Sequence, residues 1–150
     1  MIPKFRAWHK ELGRMMLIEI MYFFFFDNEL EELELNDPVM NDHISVYPDE
    51  IVLMQSTGLK DKNGKEIFEG DVLEIQGLRM VVKFGSYRYL EPSNMGCQSF
   101  AVVYDGLGFY VKTFNVIAPD DISPFEPETL KESVVIGNEF ENPELLEAEE

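Results

Sequence analysis

Cysteine occurs once in the 150 residues, at position 97, tryptophan once, and histidine twice, at positions 9 and 43. A single cysteine excludes an internal disulfide framework and any Cys-rich zinc site. Asn-x-Ser/Thr acceptors are absent, in keeping with an intracellular life. The most apolar run, residues 15–26, is broken by Glu19, and a spanning helix needs about 20 apolar residues. Lys4, Arg6, Lys10 and Arg14 precede this run as they would in a signal peptide. Behind it stands Asp27-Asn28-Glu29-Leu30-Glu31-Glu32, with no small-x-small cleavage pair, and its four phenylalanines favour a strand. The expectation is a cytoplasmic, non-membrane protein.

Catalytic signatures are equally scarce. No nucleophile elbow, phosphate-binding loop or His-Glu-x-x-His helix occurs. Cys97 has no histidine near it in sequence, so a Cys–His pair with His9 or His43 would have to be made by the fold. Asp61-Lys62-Asn63-Gly64 has the spacing of a calcium loop at first, but Lys65 and Glu66 occupy its fifth and sixth positions. Asp120-Asp121 is an ordinary carboxylate pair, and the two histidines lack ligand spacing. The sequence therefore assigns no catalytic, cofactor-binding or metal residues and no cofactor.

Carboxylates are plentiful: 29 Asp and Glu against 12 Lys and Arg, a net charge of -17. The excess is local. Residues 17–52 hold ten acids and no Lys or Arg, and residues 91–150 hold thirteen acids against two bases. Residues 1–16 and 53–90 are slightly basic. With 45% hydrophobic and 13% aromatic residues, the chain has the makings of a folded core rather than a disordered one. Its length fits one domain, residues 1–150.

Short apolar stretches separated by turn residues predict a mainly β, β-rich α+β protein. Met15–Phe26, 50–55, 72–75, 80–84, 100–104, 109–114 and 133–136 read as strands. Asn63-Gly64 predicts a type I′ hairpin, with further turns at Glu69-Gly70-Asp71, Gln76-Gly77 and Asp105-Gly106-Leu107-Gly108. The acidic stretch 28–42 fits either a short helix or a hairpin extension, and about 28–49 reads as an acidic insertion. Glu128–Glu132 suggests a helical turn. Asn142-Pro143-Glu144 marks the start of a short C-terminal helix, and a frayed tail follows from about 147.

Three blocks carry a resemblance. Lys4-Phe5-Arg6-Ala7-Trp8-His9-Lys10 with Met15-Met16, the stretch from Leu53 through Asp61-Lys62-Asn63-Gly64-Lys65 to Val72, and the stretch from Val135 to Leu146 together resemble the YopX family of phage and prophage proteins. His9 departs from an acidic position of that family and Ser56 from an often aromatic one. The resemblance implies an SH3-like barrel and a small accessory protein of unknown biochemical function.

Two surfaces invite a binding role. Lys83-Phe84-Gly85-Ser86-Tyr87-Arg88-Tyr89 interleaves bases and aromatics as single-strand binders do. Strand alternation nevertheless puts Tyr87 and Tyr89 on one face and Arg88 on the other, and the net charge disfavours nucleic acid. Glu29, Glu31, Glu32 and Glu34 could instead mimic DNA phosphates. The leading expectation is a non-enzymatic module that binds a protein partner. A DNA mimic aimed at a host DNA-binding protein and an enzyme with an unrecognised site are the alternatives. The sequence sets neither the partner nor the oligomeric state.

Overall fold

The computed structural model describes residues 4–37, 39–95, 98–114, 122–124 and 126–147, with the backbone alone for 91–102 and Pro124. The chain is mainly β and divides into two compact units between Gly58 and Leu59. No described helix is long and apolar enough to cross a membrane.

The first unit is an antiparallel meander. Strands β1 (Phe5–His9), β2 (Arg14–Phe23), β3 (Leu30–Asp37) and β4 (Asp42–Val46) pair in succession, and β5 (Ile51–Lys60) returns beside β1. Its core gathers Ala7, Met16, Leu33, Leu35, Val46 and Ile51. Register explains the set: Ala7 faces Met16, Leu33 faces Val46, and Leu35 faces Ile44. The long apolar run of β2 is accommodated by an irregularity between Ile18 and Ile20. A bulge shifts the inward parity, so Met16, Ile18 and Met21 pack inward while Leu17, Ile20 and Tyr22 stay exposed. Residues 28–49 become β3, β4 and a 3₁₀ turn at Pro48–Glu50. Of the two forms open for 28–42, the hairpin is realised, and its Leu33 and Leu35 are fully buried.

The second unit begins with the end of β5. After the turn Asp61–Lys65 come β6 (Glu66–Phe68), which pairs with β5, and β7 (Asp71–Ile75), β8 (Leu78–Met95) and β9 (Gln98–Thr113). Strand β10 (Ile122–Pro124), the four-residue helix α1 (Pro127–Leu130) and β11 (Val134–Asn138) complete it. The five-stranded sheet runs β10-β9-β8-β7-β11. One apolar cluster unites Ile67, Leu73, Met80, Val82, Val111, Leu130 and Val135. A separate cluster holds Val72, Val81 and Phe114 with Leu145 and Leu146 against them. Alternation along β7 and β8 feeds both, so these strands are apolar on both faces.

Four expectations change. Neither sheet closes: β4 and β6 end one and β10 and β11 end the other, whereas a barrel needs its end strands paired. The described strands thus form two open sheets, in which the implied SH3-like barrel is not seen. Asp105-Gly106-Leu107-Gly108 is not a turn but the middle of β9. The turn 61–65 is not type I′, because only Gly64 has positive φ (82°) and Gly64 N–H donates to Asp61 C=O at 3.0 Å. That is a type I turn followed by a left-handed glycine; the type I′-like pair is Gln76-Gly77, with φ of 50° and 80°. The helix at 143–146 is a single 3₁₀ turn, and Asn142 makes no side-chain cap to it. The tail beyond 147 lies outside the described residues.

Candidate functional site

Among the described residues the chemically special side chains do not assemble. His9 is buried, and its Nδ1 accepts the Leu12 N–H at 3.1 Å, which shapes the β1–β2 turn. His43 lies exposed on β4 beside Glu19, with Nδ1 to Oε2 at 3.2 Å. Cys97 and Asp120-Asp121 lie outside the described residues. Among the described residues no group of three or more His, Cys, Asp or Glu is placed to hold a metal. A pocket of about 210 Å³ beside α1 is lined mainly by Ile75, Leu78, Met80, Val111 and Leu130. Its one carboxylate, Glu126, accepts the Thr129 hydroxyl at 3.3 Å.

The central and closing sequence blocks meet in the second unit. Asp61 is 7% exposed, and its Oδ1 accepts the Asn63 and Lys65 N–H groups at 2.9 and 2.8 Å. Its Oδ2 accepts the Val135 N–H at 2.9 Å. Burial alone raises the Asp61 pKa, but those three donors and the charge of Lys65 outweigh it and hold the carboxyl below its ordinary value. Nearby, Lys62 N–H donates to Ser133 C=O at 2.9 Å and Glu139 N–H to Gly70 C=O at 2.9 Å. Asn138 Oδ1 takes the Phe140 and Glu141 N–H groups. The buried polar residues of these blocks thus satisfy backbone donors. Lys60, Lys62 and Lys65 project around them as an exposed basic turn.

The most distinctive surface is the β8–β9 ribbon. Among the described residues, strand β7 pairs with β8 over Leu78–Val81, with Gly70 N–H donating to Val82 C=O beyond it, and β10 pairs with β9 over Tyr110–Lys112. From Lys83 and Phe109 outward, β8 pairs with β9 among the described residues in unbroken register to Met95 and Gln98. Alternation gives this ribbon two faces. One carries Tyr110, Tyr87, Tyr89 and Tyr104, whose ring centroids lie 5.0, 6.0 and 5.2 Å apart in succession. Tyr87 lies across Gly106 opposite; a Cβ there would sit 2.6 Å from the tyrosine Oη. The glycine that read as a turn is therefore the floor of an aromatic stack.

The other face pairs Phe84 with Phe109 edge-on at 4.9 Å, Arg88 with Asp105 at 2.8 Å, and Leu90 across from Val103. Leu107, Leu90 and Val103 are 80, 64 and 53% exposed. Of the residues expected to bind a single strand, Tyr87 and Tyr89 come together. Arg88 stands on the opposite face, where Asp105 raises its pKa by a hydrogen bond, and Lys83 is tied to Glu139 at 2.7 Å. The apolar row is not apparent along the sequence because its members come from two strands; only their common parity in 84–90 and 103–109 signals it.

Of the carboxylates expected to mimic phosphates, Glu32 and Glu34 share one face of β3 beside Tyr22, whereas Glu31 has the opposite parity. Glu32 and Glu34 alternate against the buried Leu33 and Leu35, Glu34 accepts the Tyr22 hydroxyl at 3.0 Å, and Glu29 precedes the strand. That bond to Glu34 is the main cause that raises the Tyr22 pKa.

With this geometry in view, the comparisons are consistent. Among curated proteins none matches the sequence. A solved structure that does match is that of protein EF1440 from Enterococcus faecalis, 28% identical, with a TM-score of 0.51 over 98% of this chain and 99% of that chain. The family model described as YopX protein matches residues 4–147, through both units. The chain belongs to the YopX family.

Proposed function

We propose that the protein is a phage- or prophage-encoded cytoplasmic accessory module that binds a protein partner and catalyses no reaction, with residues 1–150 acting as one functional module. One observation carries this proposal: the ribbon of β8 and β9 leaves Phe84, Leu90, Val103 and Leu107 exposed in one row. A two-stranded ribbon is marginal by itself in water, and exposed apolar side chains set among polar ones, here on either side of the Arg88–Asp105 pair, mark an interaction site. Its uncovered strand edges offer main-chain hydrogen bonds to a partner strand as well. Nucleic acid fits less well, because the bases of this segment are engaged by Asp105 and Glu139 rather than standing free beside the tyrosines.

The test is affinity capture from bacterial lysate at low and moderate salt with the wild-type protein and with L90S/V103S/L107S. A protein retained by the wild type and lost by the triple variant, with circular dichroism unchanged, supports the proposal. Equal recovery by both, or no retained protein, overturns it.

A further inference from the structure

A second exposed apolar feature lies in the first unit, at the tip of the β2–β3 hairpin. Phe25 and Phe26 are 90 and 84% exposed, and Phe23 and Phe24 about half exposed. The tip is a fixed turn: Phe24 N–H donates to Glu29 C=O at 2.7 Å and Asn28 N–H to Phe24 C=O at 2.8 Å. Asp27 Oδ1 accepts the Glu29 N–H at 2.9 Å, and Asn28 takes the left-handed conformation with φ of 58°. The rings support one another, Phe26 touching Phe24 and Phe25 with centroids 5.6 and 5.4 Å apart. Aromatic side chains presented by an ordered turn lose little freedom when bound, and aromatics dominate interface energetics.

The surrounding charge narrows what can cover them. Asp27, Glu29, Glu31, Glu32 and Glu34 follow directly, inside a segment of ten acids without a single Lys or Arg. Anionic lipid headgroups would be repelled by these carboxylates, and a second copy would bring the same charges together. We infer that the Phe25–Phe26 tip is an anchor for a protein whose apolar groove is flanked by Lys and Arg. The rings fill the groove and the carboxylates meet its rim, which steers association and fixes orientation. This differs from phosphate mimicry, in which carboxylates alone would suffice, and it rests on a different surface from the ribbon.

The test uses two labelled peptides of equal positive charge, one an amphipathic helix of Leu and Lys, the other with every Leu replaced by Ser. Fluorescence anisotropy with the full chain should show the Leu/Lys peptide binding at least about 10-fold tighter than the Ser/Lys peptide. F25S/F26S should reduce the Leu/Lys affinity by at least about 10-fold, to the Ser/Lys level. E29Q/E31Q/E32Q should weaken both peptides and flatten the salt dependence. Both variants change side chains outside the buried core, and circular dichroism verifies their folding. The inference is overturned if F25S/F26S leaves the Leu/Lys affinity unchanged, or if the wild type does not distinguish the two peptides. Phe-dependent flotation with phosphatidylglycerol vesicles, or a sedimenting dimer abolished by F25S/F26S, would assign the tip to a membrane or a second copy and overturn it equally.

Discussion

Removing the Asp61 carboxylate should cost the second unit about 2.5–5 kcal/mol at neutral pH, a figure that follows from its three acceptor bonds. The bond from Val135 N–H, 2.9 Å long and buried, is charge-assisted and worth about 1.5–3 kcal/mol. The bonds from Asn63 and Lys65 sit at a turn where water can substitute, and each adds about 0.5–1 kcal/mol. Asp61→Asn keeps the shape but loses the charge and turns an amide group toward one of the donors, so it should cost about 2 kcal/mol. Because the folded-state pKa of Asp61 is lowered, its stabilisation is present above the unfolded value of about 3.9 and is lost as pH falls through the folded value. The gap between wild type and Asp61→Ala should therefore be widest near pH 7 and shrink progressively below about pH 4. Urea unfolding followed by circular dichroism measures the gap, and amide exchange at Val135 localises it. With m of about 1–3 kcal/mol/M, the midpoint should fall by roughly 1–5 M. A gap below about 1 kcal/mol, or one independent of pH, would refute the assignment of Asp61 as the organiser of the turn.

Gly106→Ala should force Tyr87 off its partner glycine and loosen the tyrosine stack, losing near-ultraviolet dichroism from the second unit; Gly106→Ala with Tyr87→Ala should recover ribbon stability relative to Gly106→Ala alone. Leu33→Ala, in the fully buried core of the first unit, should cost about 2–5 kcal/mol, read by the fluorescence of Trp8 during urea unfolding. A double-mutant cycle on Arg88 and Asp105, both about 70% exposed, should return little coupling, and what there is should fade in high salt.

Much of the local architecture was legible because it rests on short-range chemistry. Met15–Phe26 read as a strand from its aromatic and β-branched content, and β2 occupies Arg14–Phe23. The turn at 61–65, the helical turn near 128 and the final strand were visible in the same way. What misled were residues whose conformation is set by a side chain outside the local dipeptide pattern, whether two positions away or on the facing strand. Asn63-Gly64 has the dipeptide of a type I′ turn, but the Asp61 side chain takes two of the loop's N–H groups and selects type I. Gly106 and Gly108 carry turn composition, yet Tyr87 across the ribbon needs a residue without a Cβ at position 106. In 28–42, charge and leucine spacing left helix and hairpin equal, and pairing with β2 and β4 decided the outcome.

The candidate surfaces divide along the same line. Sequence alone determined that the charge lies in two segments, that the chain is mainly β, and that three blocks resemble one family, since composition and order along the chain suffice for these. Tertiary structure decided which side of each strand its residues face and which rows remain uncovered. Leu90, Val103 and Leu107 form one apolar row only because two strands pair in a single register over their whole length. Phe25 and Phe26 are exposed because β2 ends at Phe23 and the chain reverses there. An apolar residue has the same composition whether it packs inward or outward; only the register and the ends of the strands determine which.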